Sequence, residues 1–441
     1  MSRKDVFKKI IVENIDKGFF AVQRELKLPT NLDLVVSLYG PRRSGKTYLF
    51  YQTIKNMLKN ADSLNSILYV NFEDERILPF TKEDWDLLLD AYFELYPENL
   101  NQTVYLFFDE VQEIPLWEKF VRRLSEKKKF NIFLTGSSSR LFSQEIATSL
   151  RGRTLSFFLM PFSFKEFLAF KKFEIGEHLE YSPKRHKAKK LFLEYLKYGG
   201  FPEVLDKKEP FKTQILQGYF DLIFYKDIVE RYNIRNFNLM KNLMRYMISH
   251  CSSLFSLTAY YNFLKSQGEK IGKDTLFEYL SLLEEVNFVR MVPIFDSSLK
   301  KQMVNPKKLY CIDTGLITAA SFQFSSNRGK YLENIAFLEL MRRGKDIFYY
   351  KGAKDAEVDF LITEKNKPNQ LIQVCADMDK PGTREKEISS LVCASRQFNI
   401  KQCLILTEDQ TGEIVEGKLK IEIVPLWQWL LELPKRQAVR K

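Results

Sequence analysis

The eight residues Gly40-Pro41-Arg42-Arg43-Ser44-Gly45-Lys46-Thr47 constrain this chain more than any others. They satisfy G-x-x-x-x-G-K-[ST] at every defined position, follow the apolar run 32–39 and open a helical stretch from Thr47. A strand, a glycine-bearing loop and a helix in that order form a phosphate cradle. The glycines let backbone N–H groups turn inward, and the helix N-terminus adds a positive field. Gly40, Pro41, Arg42, Arg43, Ser44, Gly45, Lys46 and Thr47 are therefore the candidate nucleotide-binding residues. Lys46 suits the β and γ oxygens, and Thr47 a place on magnesium, so ATP with Mg2+ is the expected ligand pair.

A second signal lies at Tyr105-Leu106-Phe107-Phe108-Asp109-Glu110, an apolar run ending on two adjacent carboxylates. Strand alternation sends their side chains in different directions, so one can join a metal shell while the other activates water. Asp109 is the expected magnesium partner and Glu110 the expected general base. The run Ile132-Phe133-Leu134-Thr135 leads into Gly136-Ser137-Ser138-Ser139, which places hydroxyls at a strand's C-terminal end, where ligands of open α/β sheets sit. Thr135 or Ser137 is the candidate sensor of the γ-phosphate, with a helix-capping turn as the alternative. Arg151 and Arg153, flanking Gly152, are candidates to stabilise transition-state charge within the chain or across a subunit boundary, with a salt bridge as the alternative.

A chain of 441 residues, 45% hydrophobic and 28% charged, is long enough for two or three globular domains. The apolar residues after Met1 are interrupted by Lys8, Lys9, Glu13, Asp16 and Lys17, so neither a signal-peptide core nor a membrane-spanning run is expected. The five cysteines show no paired metal-ligand spacing and read as reduced thiols of a cytoplasmic protein. The formal net charge of +12 permits attraction to polyanions such as DNA, although the clusters Lys127-Lys128-Lys129, Lys184-Arg185-His186-Lys187 and Lys435-Arg436 read first as solvated faces.

Periodicity divides the chain into an α/β multidomain arrangement. Apolar positions Val6, Phe7, Ile10, Ile11, Ile15 and Phe19 mark an N-terminal amphipathic helix within 1–30, ending before Pro29. Alternating apolar runs and helical stretches over 31–161 are the signature of a parallel sheet with crossover helices. Long amphipathic stretches over 162–235 suggest a helical lid. Residues 236–320 read as helix, helix, strand, strand, the order of a winged helix, with Thr275, Phe277, Tyr279 and Leu280 on its recognition helix and Lys270 and Lys273 nearby. Residues 321–441 form a further α/β domain, with strands at 347–350, 356–363, 370–375 and 402–407 and helices at 331–343 and 384–396.

The phosphate loop, Asp109-Glu110-Val111-Gln112, Thr135-Gly136-Ser137-Ser138-Ser139, Gly152-Arg153, Pro161-Phe162-Ser163-Phe164-Lys165-Glu166-Phe167 and Gly199-Gly200-Phe201-Pro202-Glu203 together resemble the archaeal and bacterial AAA-type P-loop ATPases that carry a C-terminal domain of unknown function with a restriction-endonuclease-like fold. Asp227-Ile228-Val229-Glu230-Arg231-Tyr232, Tyr310-Cys311-Ile312-Asp313-Thr314-Gly315, Glu333-Asn334 and Glu357-Val358-Asp359-Phe360 extend the resemblance over nearly the whole chain. It implies a P-loop NTPase core, a winged-helix segment and a nuclease-like domain. Glu333 and Asp359 would supply carboxylates to the last of these, but Gln373 stands where a second acid belongs and Cys375 where a lysine belongs. Cleavage of nucleic acid is therefore not expected, with Asp377 or Lys380 as the residues that would have to substitute. The expected activity is Mg-dependent ATP hydrolysis acting as a switch or motor on DNA or a protein partner, in a chain that is a candidate homo-oligomer. The alternatives are a nucleotide-gated DNA- or protein-binding module with little turnover and an ATP-controlled nuclease.

Overall fold

The computed structural model describes residues 2–16, 19, 22–59, 63–136, 148, 150, 152–177, 179–320, 328–353 and 356–431. They form two compact units, Met1–Pro161 with Glu285–Asn287, and Phe162–Glu284 with Phe288–Lys441. The first unit contains a five-stranded sheet of β1 (Val35–Tyr39), β2 (Ile67–Asn71), β3 (Val104–Asp109), β4 (Phe130–Gly136) and β5 (Thr154–Phe158), ordered β2-β3-β4-β1-β5. Every pairing is parallel, with Val36 opposite Phe133 and Leu106 opposite Ile132. The C-terminal ends of all five strands consequently share one edge. β1 there enters the phosphate loop, β3 ends on Asp109 and β4 runs through Thr135.

Near-continuous apolar runs form this sheet because both of its faces are covered. Leu106 and Phe108 of β3 pack with Val35, Leu68, Val70 and Leu134 in a core shared with the helices α1 (Arg3–Asp16), α3 (Asp84–Leu95) and α4 (Trp117–Ser125). Phe107 belongs to the opposite core, with Val36, Leu38 and Phe133, beneath α2 (Lys46–Lys59). The Phe107 and Phe133 rings stack at 4.4 Å, and Phe50 of α2 meets Phe107 edge-on at 5.1 Å. Each such buried ring contributes about 2–3 kcal/mol of apolar transfer.

The leading helix is shorter than its apolar spacing predicts. It ends at Asp16, and residues 22–34 contain no helix. Phe7, Ile10 and Ile11 do enter the core of the first unit. Farther on, Leu26 and Leu28 pack into the α2 face, and Pro29 disfavours helical backbone at the residue before it. Tertiary packing of the segment thus replaces its helical propensity.

In the second unit, residues 162–235 contain helices and no strand among those described. A three-residue strand, β6 (Ser253–Phe255), follows, ahead of the helix, helix, strand, strand order expected over 236–320. It pairs with β8 (Lys307–Cys311), which also pairs with β7 (Val289–Val292), giving an antiparallel sheet ordered β6-β8-β7. A six-stranded sheet follows, comprising β9 (Asp346–Lys351), β10 (Glu357–Glu364), β11 (Lys367–Val374), β12 (Gln402–Thr407), β13 (Gly412–Glu416) and β14 (Leu419–Pro425), ordered β13-β14-β12-β11-β10-β9. The segments 162–235, 236–320 and 321–441 share this one unit apart from Glu285–Asn287. No helix among the described residues is long and apolar enough to cross a membrane.

Two glycine motifs meet inside this unit. The amides of Gly200 and Gly315 donate to Asp313 Oδ2 and Oδ1, each at 2.8 Å, and burial raises the Asp313 carboxyl to about 7. Gly199 has φ +71°, and a Cβ there would lie 1.8 Å from Asp313 Oδ1. The carboxylate is held by those amides, so it has little freedom to yield. Gly199→Ala is expected to lower unfolding free energy by more than about 3 kcal/mol, measured by urea denaturation. Gly382→Ala is the control, with similar φ (+74°) but nothing within 4 Å, and should cost only about 1 kcal/mol.

Candidate functional site

Backbone approach fixes the start of the phosphate loop. The Leu159 amide donates to Tyr39 O at 2.8 Å, and a Cβ on Gly40 would lie 2.2 Å from the Leu159 carbonyl oxygen, so only glycine fits. Arg43 and Gly45 both take positive φ, 65° and 95°, before α2 begins at Lys46. Arg24 braces the loop from the preceding segment: its Nη1 donates to Ser44 O at 2.8 Å and its Nη2 to Met160 O at 2.7 Å. Gln52 of α2 in turn accepts from the Arg24 amide and donates to its carbonyl.

The two adjacent acids are held in different ways. Asp109 is fully buried, and its Oδ2 accepts from Thr47 Oγ1 at 2.7 Å and Tyr69 Oη at 2.9 Å, while Oδ1 accepts from Thr135 Oγ1. Burial, reinforced by the neighbouring Glu110 charge, raises the Asp109 carboxyl above its ordinary range. Glu110 turns away through left-handed backbone at φ 52°, and its amide donates to Thr135 Oγ1 at 2.8 Å. Its Oε1 lies 3.4 Å from Lys46 Nζ, and its Oε2 accepts from Gln112 Nε2 at 2.7 Å. Burial works to raise Glu110, but Lys46, Gln112 and Arg42 outweigh it and hold the group below the usual glutamate range. Two neighbours in sequence are thereby driven in opposite directions, the pattern that separates acid and base roles.

Magnesium prefers hard oxygen ligands. The Thr47 hydroxyl and the Asp109 carboxylate, 2.7 Å apart at the start of α2, are such donors and fit this ion. When bound, it would neutralise charge on the phosphates, while Lys46 and the loop amides would hold their oxygens. The remaining candidates are placed less directly. Arg42 Nη1 lies 3.7 Å from Glu73 Oε1 after β2. Thr135 is completely buried, its hydroxyl engaged by Asp109 and Glu110, so it braces the acids where phosphate sensing was expected. Ser137 and Arg151 lie outside the described residues. Arg153 precedes β5, and because Val35 at the start of β1 is paired with Thr154, it stands at the opposite end of the strands from the loop. A role for Arg153 within its own chain's site is thereby corrected, since a five-residue strand separates the two by roughly 16 Å. Tyr69 and Arg24 were missed. The β2 pattern shows Tyr69 only as apolar, and no motif marks Arg24.

A second cluster surrounds Lys308 of β8, whose side chain is 3% exposed. Its Nζ lies 2.6 Å from Asp359 Oδ1, 3.1 Å from Glu333 Oε1 and 3.0 Å from Glu357 Oε1. Val374 N donates to Asp359 Oδ2 at 2.8 Å, and Asp359 N to Gln373 Oε1 at 3.1 Å. Burial would lower the Lys308 ammonium, yet the three carboxylates hold it well above the ordinary lysine range. Cys375 is buried with its thiol on Asp377 O, Asp377 Oδ1 accepts from Asp379 N and Gln410 Nε2, and Lys380 is exposed, so none of them joins the cluster. Among the described residues no group of three or more His, Cys, Asp or Glu is arranged to hold a metal ion. Removing one partner of a buried ion pair leaves uncompensated charge, so Lys308→Met is expected to destabilise the chain by about 3–5 kcal/mol. The nearby Glu387, already raised to about 7 by burial and then by Asp359, belongs to a set of acids that would rise further in this variant. The folded variant would hold protons that the unfolded chain releases from about pH 4 upward, so its stability should rise as pH falls from about 7 to about 5. Urea titrations across that window check both statements.

A protein family described as AAA domain matches residues 33–168. Two families described as domains of unknown function, DUF8612 and DUF4143, match residues 189–327 and 328–429. An uncharacterized protein of Methanocaldococcus jannaschii is 37% identical over 98% of this chain and 96% of its own length. An uncharacterized protein of Haemophilus influenzae is 30% identical over 91% of this chain and 95% of its own. Among solved structures, the Aeropyrum pernix ORC1 protein in complex with DNA is similar over 72% of this chain and 91% of that one, at 12% identity and a TM-score of 0.32, too loose a likeness to bear on function. With its loop, acids and strand order in place, the chain carries a P-loop domain of AAA type over residues 33–168 and belongs to the same family as these archaeal and bacterial proteins.

Proposed function

We propose that this protein is a magnesium-dependent ATPase whose turnover switches or drives an interaction with DNA or a protein partner. The observation that carries this is the convergence of loop and acids: Thr47 on Asp109 at 2.7 Å and Lys46 beside Glu110 at 3.4 Å. In this reading Thr47 and Asp109 hold magnesium, Lys46 holds the β and γ oxygens, and Glu110, kept ionised by its neighbours, takes the proton of the attacking water. Thr135 and Tyr69 fix the Asp109 carboxylate. Arg153, distant from its own loop, would serve catalysis only from a neighbouring copy in a homo-oligomer.

The order of elements over 237–311, helix, strand, two helices, strand, a short helix (Leu299–Val304) and strand, supports the winged-helix reading. Leu276, Tyr279 and Leu283 of the helix Lys273–Glu285 are buried, so Tyr279 belongs to the core. Phe277 is half-exposed, with Lys273 Nζ 5.8 Å from its ring centroid. With few donors suited to base edges, this face favours phosphate contact over sequence readout. The restriction-endonuclease-like reading of the six-stranded sheet is supported by Glu333, Asp359 and Gln373 lying together. Lys308 among those carboxylates argues for a non-cleaving domain over an ATP-controlled nuclease.

Glu110→Gln is expected to lower ATP turnover by roughly 10²–10⁴-fold while retaining ATP binding, and Lys46→Ala to weaken binding itself. Steady-state phosphate release and nucleotide titration separate these outcomes. Wild-type turnover in Glu110→Gln would refute the base assignment, and near-zero turnover of the unmodified chain with nucleotide-dependent partner binding would favour the gated module. Affinity for duplex DNA, measured by fluorescence anisotropy, should fall at least about tenfold between 50 and 200 mM salt. Salt-insensitive binding would count against phosphate contact.

A further inference from the structure

Three aliphatic side chains on the connection between β7 and β8 stand in solvent: Leu299 is 74% exposed, Met303 79% and Val304 76%. They belong to the short helix Leu299–Val304, which buries none of its residues. The helix is nevertheless firmly held. Ser298 Oγ accepts from Lys301 N at 3.4 Å, Gln302 Nε2 donates to Asp296 O at 2.7 Å, and Asn305 Nδ2 donates to Lys301 O at 2.7 Å. At its base, Phe295 N donates to Tyr349 O at 2.7 Å and Tyr349 Oη to Pro306 O at 2.5 Å, so both ends of the connection are tied to β9. Leu299 and Met303, four residues apart, share one helix face. Neighbouring aliphatic side chains on a fixed projection mark an interaction site.

We propose that this projection is an apolar wedge for the minor groove of duplex DNA, with Leu299 and Met303 entering between base steps and lysines on the flanking phosphates. The inference rests on the reading above that the partner is DNA, and it names the part of the chain that makes the contact. Charge complementarity selects this occupant. The segment 296–307 carries Lys300, Lys301 and Lys307 against a single acid, Asp296. Lys301 lies 3.4 Å from Asp296 Oδ2, which leaves Lys300 and Lys307 without an ion pair among the described residues. Shape points the same way, because side chains three-quarters exposed stand on a convex surface, whereas a site for a partner helix is a groove. Leucine and methionine are wedge side chains of minor-groove proteins, which unstack a base step and bend the duplex toward the major groove. The buried face of the helix Lys273–Glu285 thus has a counterpart in which the exposed groups suit DNA.

The test uses the full-length protein and a duplex of about 30 base pairs, labelled at both ends for energy transfer and read in parallel by fluorescence anisotropy. The unmodified protein is expected to bind and to raise end-to-end transfer as the duplex bends. Leu299→Ser combined with Met303→Ser should weaken binding at least tenfold and abolish the rise, with the thermal midpoint unchanged. Lys300→Gln combined with Lys307→Gln should lower the slope of log affinity against log salt by about 2. Netropsin, which fills the minor groove, should displace the protein, and methyl green, a major-groove ligand, should not. Binding and bending kept by the Leu299 and Met303 double variant overturn the wedge and leave the DNA reading standing, whereas no duplex binding by the unmodified protein at about 50 mM salt overturns both. Displacement by methyl green alone also overturns the proposal, as does double-variant-sensitive binding to phosphatidylglycerol vesicles in place of DNA. Should the double variant fail to fold, the groove-ligand competition on the unmodified protein decides it.

Discussion

Asp109 is buried completely, and three hydroxyls from three separate elements hold its oxygens: Thr47 from the start of α2, Tyr69 from β2 and Thr135 from β4. A carboxylate in that position is costly to ionise unless it is paired. All three of these donors are neutral, and the adjacent Glu110 carries a charge of like sign, so burial raises its affinity for a proton. The same property raises its affinity for a metal cation. The hydroxyls also register the strands: Thr47 ties the loop to β3, Tyr69 ties β2 to β3, and Thr135 passes the connection to the Glu110 amide. The geometry of the nucleotide site is therefore a consequence of how one buried acid is satisfied.

The second unit meets a similar problem with a different solution. Buried Glu333 and Asp359 and the partly exposed Glu357 gather around the Lys308 ammonium, which β8 inserts from the three-stranded sheet. One acidic site thus has its cation supplied by the chain, whereas Asp109 has only neutral donors. The first arrangement favours a fixed structure, and the second favours a site that responds to a ligand. Asp313 follows a third route, with burial raising its carboxyl and the Gly200 and Gly315 amides as its partners.

How much of this was legible in the sequence followed how local each feature is. The phosphate loop and the Asp109-Glu110 strand end announce themselves because their physics is confined to a few consecutive residues. Arg153 looked equally close to the site in sequence, but its position depends on β5 pairing in parallel with β1, which puts the start of β5 far from the loop. Lys308 carries no local sign of its role, since its partners arrive from residues 333, 357 and 359. The leading helix was overextended because apolar spacing continues to Phe19, while the burial of Leu26 and Leu28 requires a non-helical path. The final hairpin, β13 and β14, was not foreseen, although Leu419, Ile421 and Ile423 alternate inward with Lys420 and Glu422 outward, which is a readable period of two.

The division of labour between the adjacent acids is tested most directly by the magnesium dependence of ATP binding in Asp109→Asn beside the unmodified protein. Isothermal titration with and without Mg2+ should show a strong metal dependence in the unmodified protein that is largely lost in Asp109→Asn, while metal-free affinity stays within a few-fold. An unchanged magnesium dependence in Asp109→Asn would contradict the assignment of the buried carboxylate to the metal.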